Sequence, residues 1–594
     1  MFCDQCQEAV KFKFCDETGT CGKSPDLADL QDILIYNTTR LGLEISEKGS
    51  DHKGYMSMIV DNLYACLTNV NFDKADIHER NVSTLEALAA LGVQREDDQA
   101  VLEKVNFQRT NFSEDLVSFR KLLLYSLKAL AALVYKTRIY GEEDLETSAF
   151  ICKKLALLAK EDSGMQDLFN SAIEVGGYAI KEMDLIDRYL TGKFGDPMVT
   201  AVNTQVGDRP GILVSGHDLA TLEAVLKETK GLGLDIYTHG SLINAHYHPR
   251  FKDYENLRGH YGRAWYDQKR DFDSFKGPIL LTSEEGAIPT RRYEDRLFTT
   301  GPARIEGIKH LGSSDLASLS ELAATCKKPR AFKADMILGG FAHKQLFDLT
   351  ENIISSMRKG LLRKFVVLCG DDGRQAKRNY YIDYLKGMPK TSMAFTAGSV
   401  KERFLDLNLG NINGIPRILD AGQDHDVYSI ILFIFRLQQA LGFASVNELP
   451  ATFHISWYSE KSLLTMLALL SLGVRNIYVG PDLPAFLSKG AVEALTKNFG
   501  VKGTGILEDD LNEIYPELKE ERENLTLIDG PIKGDMLIGD IVEAYPDLVP
   551  VFMDMGMHCL GCGSSRFESV EQAAMVHGLK PEIVLNKLNE KVER

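Results

Sequence analysis

The stretch GILVSGHDLATLEAVLKETKGLGLDIYTHGS, Gly211 to Ser241, decides the fold. It opens with a short apolar run, GILVS, that reads as a buried strand. TLEAVLKETKGLG follows as an amphipathic helix ending in glycines, and DIYTH reads as a second strand. The alternation recurs downstream in PILLTSEE, FVVLCGDDG, SMAFTAGS, PRILDAGQD, TFHISWYSE and VRNIYVGP, with helices such as EKSLLTMLALLSLG between them. Strand–helix alternation of this kind implies parallel sheets covered on both faces. A boundary near residue 360 divides the run into two Rossmann-like α/β domains, 206–360 and 361–530.

Upstream of this run the pattern is helical. SPDLADLQDILIYNTTRLGLEI places Ser24 as a cap and Pro25 at the first helical position. SEDLVSFRKLLLYSLKALAALVYK and ETSAFICKKLALLAK repeat apolar residues at three- and four-residue steps, with no strand pattern between. Residues 1–205 therefore read as a cysteine-bearing loop and a helical bundle. A tail, 535–594, reads as short helices flanking GMHCLGCGSS. The expected fold class is multidomain α and α/β: an N-terminal helical bundle, two parallel α/β domains and a small helical C-terminal domain.

A chain of 594 residues is too long for one core. Its net charge of −16 argues against nucleic acid or an anionic membrane as partner, and is compatible with a basic redox protein. No apolar run approaches the roughly 20 residues that span a bilayer. The start, MFCDQCQEAV, has no basic segment followed by an apolar one, so a cytoplasmic location with reduced thiols is expected. Monomer and homodimer are both compatible with this reading.

Clustered cysteines then mean metal or redox chemistry. Cys3, Cys6, Cys15 and Cys21 are spaced C-x2-C-x8-C-x5-C, which suits an iron–sulfur cubane or a structural zinc ion. Cys559 and Cys562, after His558, form a CxxC that can be a dithiol/disulfide couple. Cys66, Cys152, Cys326 and Cys369 stand alone and read as small buried residues. In open parallel sheets the ligand sits beyond the carboxyl ends of the strands. Those ends carry His217, His239, Ser241, Glu284, Glu285, Asp371, Asp372, Ser399, Asp424, Asp426, Ser459 and Lys461. Carboxylates and imidazole suit iron, manganese or zinc ions.

MFCDQCQEA, GILVSGHDL, DIYTHGSLINAHYHP, GHYGRAWYDQ, DRLFTTGP, KRNYYIDYL, GIPRILDAGQDHDVYS and ISWYSEKS resemble the hybrid cluster proteins, also called prismane proteins or hydroxylamine reductases. The resemblance runs over nearly all of residues 1–500. It implies that Cys3, Cys6, Cys15 and Cys21 hold a 4Fe–4S cluster. It also implies a hybrid iron–sulfur–oxygen cluster between the domains, held by a histidine, two glutamates and four cysteines with a lysine nearby. His217 and Lys461 match that set. The other positions depart: Ser241 and Ser459 stand for the glutamates, and Glu285, Asp371, Ser399 and Asp424 for the cysteines. Without thiolates the intact hybrid cluster is not expected. The tail, from DMLIGDIVEAYPDLVPVFMDMGMHCLGCGSS on, resembles a redox-disulfide domain associated with these proteins, which implies thiol–disulfide chemistry at Cys559 and Cys562.

Two functions are open. In the first, a 4Fe–4S cluster feeds one or two iron or other transition-metal ions held by His217, Glu285, Asp371 and Asp424. A small nitrogen or oxygen species is reduced there, with Lys461 or His239 supplying protons. This expectation rests on charge: three buried carboxylates facing Lys461 alone would call for a cation. In the second, the cluster and the CxxC carry electrons and the central pocket is vestigial.

Overall fold

The computed structural model describes residues 2–9, 14–48, 53–141, 143–284, 286–312, 315–332, 335–518, 531–557 and 568–592. It contains two compact units, residues 1–386 with 390–505, and residues 387–389 with 506–594. Apart from residues 387–389, the regions read as 1–205, 206–360 and 361–530 thus fall into one unit as far as residue 505.

Seven long helices precede the sheets: α1 (Pro25–Lys48), α2 (Lys53–Ala65), α3 (Lys74–Ala90), α4 (Asp98–Asn111), α5 (Glu114–Ile139), α6 (Leu145–Ala159) and α7 (Met165–Phe194). Ser24 Oγ accepts from Leu27 N at the start of α1. Asp73, Asp97, Ser113 and Asp144 cap α3 to α6 through side-chain oxygens, which satisfies donors that a helix start leaves unpaired. Among the described residues two short strands lie within 1–205, Asn71–Phe72 and Thr200–Asn203, the latter antiparallel to Met336–Gly339. Asn71–Phe72 pairs in parallel with Arg304–Ile305, a ladder too short to show alternation in sequence.

The first sheet comprises β1 (Gly211–Ser215), β2 (Asp235–His239), β3 (Leu257–His260), β4 (Ile279–Leu281), β5 (Leu297–Thr299) and β6 (Lys309–His310). Every pairing is parallel, and the order is β3-β2-β1-β4-β5-β6. The second comprises β7 (Lys364–Gly370), β8 (Ser392–Ala397), β9 (Ile418–Gly422), β10 (Ala451–Ser456), β11 (Ile477–Gly480) and β12 (Lys502–Gly503). It too is parallel throughout, in the order β9-β8-β7-β10-β11-β12. Both sheets therefore share the order 3-2-1-4-5-6 of the Rossmann fold. Each has a switch point where the strand order reverses, between β1 and β4 and between β7 and β10.

The helix Glu460–Ser471 leaves the second switch point and is buried along most of its length. It packs on α5 and α7. At Gly176 of α7 an added Cβ would stand 2.1 Å from the Leu467 carbonyl oxygen, so only glycine admits this approach. This contact ties the bundle to the second sheet.

The second unit is described by itself. Its helices Ile538–Ala544, Val549–Asp554, Val570–Val576 and Pro581–Val592 enclose a small core including Ile541, Phe552, Ala574, Val584 and Leu588. Ser569 and Gln572 form a capping box at the third of these helices. His558, Cys559 and Cys562 lie outside the described residues.

Candidate functional site

The two switch points supply most of one buried ring of polar side chains. Past β1 comes His217, and past β4 comes Glu284. Asp371 follows β7, and Ser459 with Lys461 opens the helix after β10. Asp424 follows β9. Chain geometry explains the convergence, because parallel strands all end on the same edge of their sheet. Gly370 and Gly398 make room at that edge. With φ of +91° at Gly398, a Cβ there would stand 2.5 Å from the Gly370 carbonyl oxygen and 2.6 Å from Asp424 Oδ1.

Lys461 Nζ sits within the ring. It donates to Asp424 Oδ2 at 2.8 Å and lies 3.5 Å from His217 Nε2. Glu284 Oε1 and Asp371 Oδ1 are each 3.8 Å away. His217 Nε2 is 3.5 Å from Asp424 Oδ2, and its Nδ1 is 3.2 Å from Ser283 Oγ and 3.6 Å from Glu284 Oε1. Lys136 of α5 donates to Glu284 Oε1 at 3.3 Å, and the Tyr64 hydroxyl donates to Glu284 Oε2. Ser459 Oγ donates to Asp371 Oδ2 and caps the helix by accepting from Lys461 N.

Burial and charge set the protonation states. Burial pushes the Asp371 carboxyl up to about 7; Lys461 opposes this and the neighbouring Asp424 charge adds to it. Burial acts the same way on Asp424, but Lys461 and His217 hold it well below the usual carboxylate range. Glu284 is likewise held low against its burial by Lys136, His217 and Lys461. Near neutral pH the ring thus holds two anionic carboxylates, two lysines and an Asp371 poised to hold a proton. Its charges are met from within the protein, by Lys136 as well as Lys461.

A small cavity of about 10 Å³ adjoins the ring, lined by residues including Asn69, Trp265, Glu284, Asp371, Ser399 and Tyr458. None of its lining residues is a cysteine. Cys369, two residues before Asp371, is fully buried in the hydrophobic core among the strands. Among the described residues, no three His, Cys, Asp or Glu side chains are placed to close on a single metal ion.

The N-terminal loop lies against the same region. Cys3 and Cys15 pair through their backbones, at 3.1 and 2.8 Å. Burial raises the thiols of Cys3 and Cys6, and Cys21 is close enough to both to raise them further. Lys23 is driven upward against its burial by Cys3 and Cys21, as a cation beside a cluster of thiolates would be. Gln7 N donates to the Tyr458 carbonyl at 2.9 Å. Lys128 of α5 bridges Gln5 Oε1 at 2.6 Å and Glu460 Oε1 at 2.8 Å. Tyr458 itself lines the cavity, and the charges of Cys6 and Cys21 help raise its hydroxyl after burial and Glu8.

The expected residues are thus only partly assembled. His217, Asp371, Asp424 and Lys461 meet. Glu285 lies outside the described residues, and Glu284 beside it joins the ring. His239 is directed elsewhere: its Nδ1 is 3.0 Å from Ser215 Oγ and its Nε2 3.4 Å from Asp271 Oδ2. Ser241 Oγ donates to Glu402 Oε1 at 3.2 Å. Asp426 accepts from Gln423 N and Asn244 Nδ2 and stays in its own loop. Lys136, Tyr64 and Glu402 carry no sequence signal. Lys136 and Tyr64 sit within ordinary helical patterns, and Glu402 follows a strand end by several residues.

Residues 1–512 match the prismane/CO dehydrogenase family, and residues 532–585 match a domain of unknown function, DUF1858. A hydroxylamine reductase of Desulfovibrio desulfuricans is 39% identical over 541 residues, 87% of this chain and 99% of its own. A hydroxylamine reductase of Methanococcus vannielii is 38% identical over 86% of this chain and 99% of its own. Carbon monoxide dehydrogenase from Thermococcus sp. AM4 shares the fold at a TM-score of 0.53 and 14% identity, covering 88% of this chain and 91% of its own. Carbon Monoxide Dehydrogenase IV from Carboxydothermus hydrogenoformans does so at 0.51 and 15%, covering 86% and 91%. On the match across residues 1–512 and the identity to these reductases, the chain belongs to the prismane/CO dehydrogenase family of iron–sulfur oxidoreductases.

Proposed function

We propose that this protein carries electrons through a 4Fe–4S cluster held by Cys3, Cys6, Cys15 and Cys21 to the pocket around Lys461, where a small nitrogen or oxygen species is reduced. A redox protein supplies the electrons. The four cysteines fit a cubane: they are neighbours, two are backbone-paired, and a buried lysine faces them. The hybrid cluster of the family does not fit the ring, whose donors are carboxylate, hydroxyl, imidazole and amine.

The observation that carries the reading is the run Tyr458–Lys461. Its first residue touches the cysteine loop and lines the cavity, its third is bound by Lys128, and its last is the ammonium within the ring. Near the pocket the protein's own groups do protonic work. Asp371 holds a proton near neutral pH, Lys461 holds the Asp424 charge, and Ser459 orients Asp371. The name of the reductase relatives makes hydroxylamine the first substrate to try.

A second reading, electron carriage without turnover, is favoured by the size of the cavity, which at about 10 Å³ barely admits a single water. Stopped-flow reoxidation of dithionite-reduced protein separates the two. Reoxidation by hydroxylamine, nitric oxide or peroxide supports catalysis. A cluster that stays reduced under all three supports the carrier. An anaerobic preparation without about four irons per chain and a cubane resonance would sink both.

A further inference from the structure

We infer that the Lys461 ammonium takes the place of a metal ion among His217, Glu284, Asp371 and Asp424, and that the pocket binds no transition metal while that lysine is present. The inference deepens the reading of this pocket as the electron-accepting site. It reverses the expectation that buried carboxylates there call for iron or another transition metal.

One short hydrogen bond and three longer contacts hold the ammonium. One nitrogen stands 2.8, 3.5, 3.8 and 3.8 Å from acceptor atoms of four residues on four different strand ends. The donors of a transition metal would stand at about 2.0–2.2 Å from it, closer than any of these contacts. The ammonium lies 2.8 Å from the Asp424 oxygen that a metal would also need, so the two compete for it.

Its position is fixed by the backbone. Lys461 is the second residue of its helix, its N–H donates to Ser459 Oγ, and Thr465 Oγ1 donates to its carbonyl at 3.2 Å. The side chain is 12% exposed, so leaving the ring for solvent would drag the charge past buried wall residues. Lys136 completes the balance from the far side of Glu284. What remains when the amine is removed is one imidazole and three carboxylates, a donor set for manganese, iron, cobalt or zinc. The cation of this site is thus covalently attached to the protein, and deleting it should open the site to a free one.

The test is cobalt uptake by the full-length, anaerobically purified protein. Cobalt per chain is read by mass spectrometry after desalting, for wild type, K461A, K461Q and the double variant H217A/K461A. Comparison with wild type cancels uptake by the CxxC and other surface thiols. Lys461→Ala should gain about one cobalt per chain over wild type, as a single closed ligand set would bind. H217A/K461A should lose that gain. Lys461→Gln keeps the side-chain length without the charge and gives a folded comparison if the alanine variant is destabilised. An anomalous signal for a metal beside His217 in the wild type overturns the inference. So does the absence of any gain in folded K461A and K461Q. The cubane absorption of the same samples is read separately. Its loss from the wild type would defeat the proposed function while leaving the cobalt comparison intact.

Discussion

Lys128→Met should weaken both the fold and the hold on the N-terminal loop. Lys128 and Glu460 are paired at 2.8 Å with both side chains fully buried, and Lys128 also donates to Gln5 at 2.6 Å. Removing one partner from such a pair leaves a buried charge unmet and costs about 3–5 kcal/mol. The lost bond to Gln5 adds about 1 kcal/mol. A net loss of about 5 kcal/mol lowers the folded-to-unfolded ratio several thousandfold. Urea denaturation of anaerobic protein, followed together by far-ultraviolet circular dichroism and by cluster absorption, reads both effects. In the variant the absorption should bleach at lower urea than the helical signal, because Gln5 sits between two of the cysteines. The double variant K128M/E460L removes both charges and should recover at least about 2 kcal/mol of the loss. A single variant within about 1 kcal/mol of wild type, with bleaching unshifted, would refute the reasoning. A double variant less stable than K128M would do the same.

Acid should destabilise the protein through its buried histidines. Burial holds His246 and His248 at about 4 and His454 at about 3, from an ordinary 6.5. They stay neutral in the fold while the unfolded chain takes up protons, so stability is present above pH 6.5 and falls as pH drops towards 4. The slope is about 1.4 kcal/mol per pH unit per histidine, and denaturation midpoints from pH 7 to 4.5 check it. Glu182 works in the opposite sense. Its burial between α5 and α6 raises it from 4.5 to about 7, so its contribution is lost as pH rises from 4.5 through 7. Glu182→Gln should stabilise the protein at pH 8 by up to about 3 kcal/mol and change little at pH 4, since glutamine imitates the protonated acid. Gly398→Ala should cost about 2–3 kcal/mol and displace Asp424 from Lys461, visible as a lowered melting temperature. A melting temperature equal to wild type would mean that the strand edge has room that the structure denies it.

Much of the fold was legible because its signals are local. Apolar runs of strand length alternate with amphipathic helices, and Ser24 marks a helix start on sight. The site residues that could be read were those on strand ends, since the parallel topology fixes where such ends point. His217, Asp371, Asp424 and Lys461 were found that way. His239 satisfied the same rule and yet faces Ser215 and Asp271, because the rule names an edge and not the direction of a side chain. The identical strand order of the two sheets was invisible, as order is a property of pairing and not of sequence.

The charge argument shows where reading from sequence stops. It set Glu285, Asp371 and Asp424 against Lys461 alone, whereas Glu285 lies outside the described residues, Glu284 joins the ring, and Lys136 adds a second cation. Lys136 lies 148 residues from Glu284, in a helix whose pattern explains it fully as bundle surface. Nothing local distinguishes it from the other lysines of that helix. Asp371, counted as an ionised carboxylate, is poised to hold a proton because it is buried and, further, because Asp424 arrives beside it from another strand. Both omissions enlarged the apparent negative charge on which the expectation of a metal rested. A buried charge can be tallied only after its partners are known, and partners in such a pocket come from the fold. The sign of the correction is therefore general to this kind of site. Sequence shows the clustered ligands at strand ends and hides scattered counter-ions such as Lys136, so a charge balance drawn from it alone errs toward the negative.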